Sequence, residues 1–124
     1  MKAVLTDTNI ILWTFNEGPD FREAILNVVP GAEIAVPTCV ISELKNLNTK
    51  EAKAALEMCK KMKMKDIGNG YVDDLLVEAA KNGHLIATND KELLNRLKDL
   101  KLNALKIREK NKLISTEGLY NEGK

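Results

Sequence analysis

Four acidic residues are the candidates for chemistry in this 124-residue chain. Asp7, Glu43, Asp73 and Asp90 each lie where a predicted strand ends or a predicted helix begins. In an open α/β sheet such positions gather at the carboxyl edge of the strands, where ligands bind. Carboxylates that share a pocket repel each other, and two charges about 4 Å apart cost roughly 4 kcal/mol at an effective dielectric constant of about 20. The arrangement therefore needs a cation, and oxygen ligands without His or Cys favour Mg²⁺ or Mn²⁺.

Short polar side chains stand beside two of these acids. They are Thr8 and Asn9 after Asp7, and Thr88 and Asn89 before Asp90. Such groups can orient a metal-bound water or a phosphate by hydrogen bonding. Each is also a common helix cap or turn residue, so any one of them taken singly carries no functional signal.

Asp73 and Asp74 are adjacent, and helical geometry separates their roles. Asp73 lies in line with Leu76 and Val77, the apolar side of the predicted helix, whereas Asp74 lies in line with a more polar row. We therefore assign Asp73 as the inward-facing ligand and Asp74 as a supporting or surface group.

Strand-like and helix-like segments alternate along the chain, which is typical of a mainly parallel α/β sheet. The predicted strands are residues 2–6, 33–36, 85–88, 104–107 and 112–115, the last being an optional fifth, and the predicted helices are 8–15, 21–29, 38–47, 50–63, 72–82 and 91–100. Residues 64–69 are predicted to be a loop with room for one short strand. We expect a single domain over residues 1–124, with a flexible polar tail from about residue 117.

The composition is that of an ordinary globular chain, with 44% apolar and 30% charged residues. No apolar run is long enough to span a bilayer and no signal peptide is evident, so we expect a cytoplasmic protein without membrane contact. The net charge of +1 conceals acidic and basic blocks. Candidate contacts to RNA phosphates are Lys45, Lys60, Lys61, Lys91, Arg96 and Arg108.

Several segments occur in an order that resembles PIN-domain proteins. They are residues 5–9 (Leu-Thr-Asp-Thr-Asn), 36–37 with 40–44 (Val-Ile-Ser-Glu-Leu), 72–77 (Val-Asp-Asp-Leu-Leu-Val) with 79–80, 87–93 (Ala-Thr-Asn-Asp-Lys-Glu-Leu), and 105–108 with 117–118. The double Asp is similar to the branch that holds ribosomal small-subunit processing nucleases and archaeal toxin-like relatives. The more typical VapC toxins carry a single Asp there.

The resemblance implies a three-layer α/β/α fold and an endoribonuclease that depends on Mg²⁺ or Mn²⁺. It also implies that Asp7, Glu43, Asp73 and Asp90 are the catalytic metal ligands, with Thr88 and Asn89 nearby. Two settings are open: the toxin of a toxin–antitoxin pair, with a small antitoxin as partner, or an RNA-processing nuclease. A non-catalytic RNA-binding or scaffold module is the alternative. A homodimer through residues 10–13 (Ile-Ile-Leu-Trp) is a further hypothesis.

Overall fold

The computed structural model describes residues 3–117 of the chain. In this part of the chain, six strands and six helices follow one another in a largely alternating order. The strands are β1 (Val4–Thr6), β2 (Ile34–Pro37), β3 (Lys63–Lys65), β4 (Leu85–Ala87), β5 (Ala104–Arg108) and β6 (Lys112–Ser115). The helices are α1 (Thr8–Phe15), α2 (Phe21–Val28), α3 (Thr38–Leu47), α4 (Lys50–Cys59), α5 (Val72–Lys81) and α6 (Lys91–Asp99).

The six strands form one sheet in the order β3-β2-β1-β4-β5-β6. The first five strands of the chain run parallel, and only β6 runs antiparallel, against β5. The chain builds outward from β1 to β3 and then crosses back to place β4 on the other side of β1. The carboxyl ends of β1 and β4 therefore form the topological switch point, the usual ligand position in such sheets.

Helices cover both faces of the sheet, so the fold is the expected three-layer α/β/α sandwich. Val4 of β1 packs with α1–α4 on one face, and its neighbour Leu5 packs with α5 and α6 on the other. This alternation follows from the period of two in a strand. Because both faces are covered, β1 is buried along its whole length, including its polar last residue, Thr6.

The sheet has six strands where the sequence predicted four to five. The predicted helix 50–63 ends at Cys59, and Lys63–Lys65 pairs with β2 instead. The reason is a change of period: Ala52, Ala55 and Cys59 repeat as helical core positions, whereas residues 61–65 alternate Lys-Met-Lys-Met-Lys. The predicted tail lies almost entirely outside the described residues.

The hypothetical dimer surface at residues 10–13 is not available in this fold. Ile10 and Ile11 are fully buried, and Trp13 is almost so, within the core of the single chain. The indole N–H of Trp13 donates to the Lys110 carbonyl oxygen at 3.0 Å. Leu12 is half-buried and lines a pocket described below. Among the described residues, no helix is both long and apolar enough to cross a membrane.

We expect Leu5→Ala to lower the free energy of unfolding by about 2–5 kcal/mol, because it opens a cavity beneath the central strand. Leu26→Ala is the matched control, since Leu26 is exposed on α2, and it should change stability by less than about 1 kcal/mol. Urea unfolding followed by circular dichroism measures both. Equal losses for the two variants would contradict this description of the core.

Candidate active site

Asp7 occupies the carboxyl end of the central strand, where β1 and β4 meet. Its backbone N–H donates to the Ala87 carbonyl oxygen at 2.9 Å, which continues the β1–β4 ladder by one residue. The chain then turns directly into α1, with Asp7 as the N-cap residue. Only 5% of Asp7 is exposed, so this carboxylate is held almost out of water at the switch point.

Three polar groups hold the Asp7 carboxylate in place. Its Oδ1 accepts from the Thr8 backbone N–H at 2.8 Å. Its Oδ2 accepts from the Thr88 hydroxyl at 2.7 Å and from the Asn9 side-chain amide at 3.4 Å. The Asn9 carbonyl oxygen in turn accepts from the Asn89 backbone N–H at 3.0 Å. The side chains predicted to flank the acids thus connect the ends of β1 and β4.

Thr88 has a second role, because its hydroxyl oxygen accepts from the Asp90 backbone N–H at 3.1 Å. Asp90 itself caps α6, accepting from the Leu93 N–H at 3.1 Å through Oδ1. One fully buried hydroxyl therefore positions two of the four candidate acids, Asp7 directly and Asp90 through its main chain.

A pocket of about 500 Å³ contains all four acids that the sequence singled out. They come from four separate parts of the fold: Asp7 from the end of β1, Glu43 from α3, Asp73 from the first turn of α5, and Asp90 from the cap of α6. Glu43 is exposed and accepts a hydrogen bond from the Thr8 hydroxyl. The pocket is lined by Asp7, Thr8, Asn9, Leu12, Glu43, Leu47, Gly70, Tyr71, Val72, Asp73 and Asp90.

The acids perturb one another. Desolvation by burial raises the pKa of Asp7, and the charges of Asp73 and Glu43 add to the rise against the opposing hydrogen bonds from Thr88 and Thr8. Desolvation also raises the pKa of Asp73, with contributions from Asp90 and Glu43. The folded chain thus holds these protons more tightly than the unfolded chain. Without a cation, stability falls as the pH rises from the unfolded pKa through the folded pKa.

Asp74 lies outside the pocket and interacts with a different residue. Its carboxylate forms an ion pair with Arg96 of α6 at 2.8 Å, and both side chains are largely exposed. The structure therefore places Asp73 in the pocket lining and Asp74 outside it. Arg96, a predicted RNA contact, already has a carboxylate partner, and its charge opposes the rise in the pKa of Asp73.

The oxygen atoms that line the pocket are the kind of ligand that a hard divalent cation prefers. They are carboxylate, hydroxyl and amide oxygens, and burial, with a smaller contribution from neighbouring carboxylates, raises the pKa of Asp7 and of Asp73. Within residues 3–117, no group of three or more His, Cys, Asp or Glu side chains is arranged to hold one ion. Mg²⁺ normally takes one or two carboxylates and keeps several waters, so the residues present fit such an ion.

The other predicted contacts are dispersed. Lys45 and Lys60 line a second pocket, Lys61 and Lys91 are exposed, and Arg108 lies 3.9 Å from the carboxylate of Glu109. Tyr71 was not predicted as a site residue, although this side chain is 72% exposed and lines the acidic pocket. Its position directly before the helix that carries Asp73 was the available signal.

Comparison with known proteins adds a family and a fold. A family model described as a PIN-like domain matches residues 4–110. A solved structure, that of the PIN domain endonuclease Utp24, is similar with a TM-score of 0.76. The similarity covers 91% of this chain and 90% of that one at 24% sequence identity, which shows a shared fold. No curated protein matches the chain at a significant level.

We expect Thr88→Val to destabilise the protein by about 1–3 kcal/mol at neutral pH, because it leaves a buried carboxylate and the Asp90 N–H without their partner. The Thr88 bond favours ionised Asp7, so its loss raises the pKa of Asp7 further and the destabilisation should shrink in acid. Urea unfolding of the variant and wild type at pH 7 and pH 4 measures the difference.

Thr6→Val is the matched control, since Thr6 is equally buried but its hydroxyl has no hydrogen-bond partner among the described residues. This substitution should be neutral or stabilising at both pH values. Equal losses of stability in the two variants would contradict the assigned role of Thr88, and so would a destabilisation by Thr88→Val that does not depend on pH.

Proposed function

Because the chain belongs to the PIN-like domain family, we propose that it is a metal-dependent endoribonuclease that hydrolyses phosphodiester bonds in RNA. The observation that carries this proposal is the pocket in which Asp7, Glu43, Asp73 and Asp90 meet. Acids with raised pKa values in a cleft are common at catalytic sites. The likeness to a protein described as a PIN domain endonuclease supports cleavage within a chain rather than another use of the pocket.

Mg²⁺ or Mn²⁺, when bound, would supply activation of water and stabilisation of charge on the phosphate. Asp7 and Asp73 would hold the ion, because burial and mutual repulsion make them the two acids that gain most from it. Thr88 and Asn9 keep the Asp7 carboxylate in one orientation, and the Thr8 hydroxyl does the same for Glu43. Asp90 completes the pocket from α6.

Two biological settings fit this activity. As an RNA-processing nuclease the protein would act within a larger RNA substrate, and as a toxin it would be inhibited by a small antitoxin protein. A neighbouring gene for a small protein that binds this chain and blocks cleavage would favour the toxin setting.

A second candidate function is RNA binding without cleavage. The observation that favours it is the spacing of the acids, since no three acidic side chains in residues 3–117 are gathered closely enough to hold one ion. Without a metal the four carboxylates would repel phosphate, so RNA binding of this kind would use exposed basic residues outside the pocket, such as Lys61 and Lys91.

Metal binding can be tested without cleavage. Mn²⁺ should raise the unfolding temperature of the wild type, since a ligand at about 100 times its dissociation constant stabilises by about 2.7 kcal/mol. Asp73→Asn should lose this rise and be at least as stable as the wild type in EDTA, because one of several repelling charges is gone. Differential scanning fluorimetry at pH 7 measures both.

Asp74→Asn is the matched control, because it changes the adjacent carboxylate, which forms an exposed ion pair outside the pocket. Such pairs contribute at most about 1 kcal/mol, so this variant should keep the Mn²⁺ effect. Loss of the effect in Asp74→Asn with retention in Asp73→Asn would reverse the two assignments.

Cleavage of a structured RNA and of a single-stranded RNA should require Mg²⁺ or Mn²⁺ and stop in EDTA. Asp7→Asn should reduce the rate by more than the roughly 10- to 100-fold that follows loss of a group behind a metal ligand. Asp99→Asn, an exposed acid outside the pocket, should retain full activity. Gel electrophoresis of end-labelled RNA measures the rates.

The same preparations distinguish the two candidate functions. RNA that shifts in a native gel but is not cut with either metal would favour the binding module. Cutting that survives Asp7→Asn would place the activity elsewhere.

A further inference from the structure

A second pocket, of about 550 Å³, lies on the side of α3 away from the acids. Ile41 and Lys45 of α3 line it, whereas Glu43 and Leu47 line the acidic pocket. Residues two apart on a helix differ by about 200° in direction. The helix therefore separates the two pockets, and nothing in the acidic site explains the second one.

The second pocket has an apolar floor and a basic rim. Ile41, Leu56 and Met64 form the floor, and Lys45, Lys53 and Lys60 stand around it. The one acid at the rim, Glu57, is paired with Lys60 at 3.0 Å. Within residues 3–117, Lys45 and Lys53 have no carboxylate partner. The pocket thus combines apolar surface with positive charge that the chain itself does not neutralise.

One wall of the pocket is an open sheet edge. β3 pairs with β2 and, in the described part of the chain, with no other strand. Met64 lies opposite Val36, which packs on the α1–α4 face, and Met64 is 43% exposed towards the pocket. Because side chains alternate along a strand, Lys63 and Lys65 point to the opposite face of the sheet from Met64. A strand added here would continue the sheet and lay alternate side chains over the pocket floor.

The lysines decide which strand can be added. Lysines on an edge strand discourage pairing between two copies of the same protein, because like charges would meet. Lys63 and Lys65 would face their own counterparts in such a dimer. An acidic strand would instead be attracted, because Lys65, Lys45 and Lys53 have no carboxylate partner within residues 3–117. Lys63 contributes less, since it already pairs with Glu33. The same charges thus disfavour a second copy and favour an acidic partner.

We propose that β3 and this pocket bind an extended acidic segment of a partner protein by strand addition. Apolar residues of that segment, at alternate positions, contact Met64, Ile41 and Leu56. The intervening acidic residues lie on the other face, beside Lys65, and Lys45 and Lys53 at the pocket rim attract the negative charge of the segment as a whole. This inference does not depend on nuclease activity, because it uses neither the acidic pocket nor a metal.

The test uses a fluorescein-labelled synthetic peptide in which valine and glutamate alternate. Fluorescence anisotropy with the full-length protein should show saturable binding that weakens as salt is added. A peptide of the same composition with its valines and glutamates in two separate blocks should bind at least about tenfold more weakly, since only alternation matches the pleat. Methylating the peptide's main-chain nitrogens should also abolish binding, because strand addition needs those donors.

Variants of the protein locate the site. Lys53→Glu should weaken binding at least about fivefold, and Met64→Ser about tenfold. Lys45→Glu combined with Lys53→Glu should reverse the preference towards a peptide with lysine in place of glutamate. Lys50→Glu is the matched control: it is exposed on the same helix but outside the pocket, and it should bind as the wild type does. Thermal unfolding of each variant confirms that it is folded.

Three results would overturn the proposal. The first is no binding at about 1 mM alternating peptide. The second is displacement of the peptide by polyuridylate together with loss of RNA binding in Lys53→Glu, which would make the pocket part of an RNA path. The third is a wild-type dimer by light scattering that Met64→Ser dissociates, which would make a second copy the occupant.

Discussion

The structure depends on keeping one charged group, the Asp7 carboxylate, almost out of water at the end of the central strand. Desolvation raises its pKa even though three donors bind it. A buried carboxylate surrounded by other acids opposes folding, so its presence indicates a use outside stability. The donors fix its orientation but do not cancel its charge, and a cation at the same place would do so. The proposed binding of a metal at this site would relieve this local instability.

The strand order determines which groups can reach Asp7. Because β4 returns beside β1 after the chain has built outward to β3, residues 81 positions apart in the chain lie within hydrogen-bond distance. Thr88 then serves both Asp7 and the cap of α6. Because one hydroxyl group contacts both the Asp7 carboxylate and the start of α6, a change at Thr88 affects Asp7 and Asp90 together. Glu43 and Asp73 arrive from helices on opposite faces of the sheet, and the pocket forms where the layers meet.

Local patterns predicted most of this fold and brought together the four acids that line one pocket. The bounds of α1 and β6 are confirmed to the residue. The four acids line one pocket, three of them from a strand end or helix start and Glu43 from the middle of α3. The sequence left room for a short strand in residues 64–69 but did not place β3 at Lys63–Lys65, because the three residues Lys-Met-Lys carry a weak signal until they pair with β2. The Asp74–Arg96 ion pair and the second pocket could not be predicted either, since both depend on how separate helices pack. Whether the four acids ligate a metal stays a prediction.

The near-neutral net charge of +1 conceals two surfaces of opposite sign, and α3 separates them. A helix with its side chains is about 10–12 Å wide, which exceeds the Debye length of about 8 Å at physiological ionic strength. Lysines at the second pocket are therefore screened from the acids across the helix. Arg96 of α6 offsets part of the rise in the pKa of Asp73, but the pKa values of Asp7 and Asp73 stay raised. Each of the two surfaces is therefore left to attract its own partner.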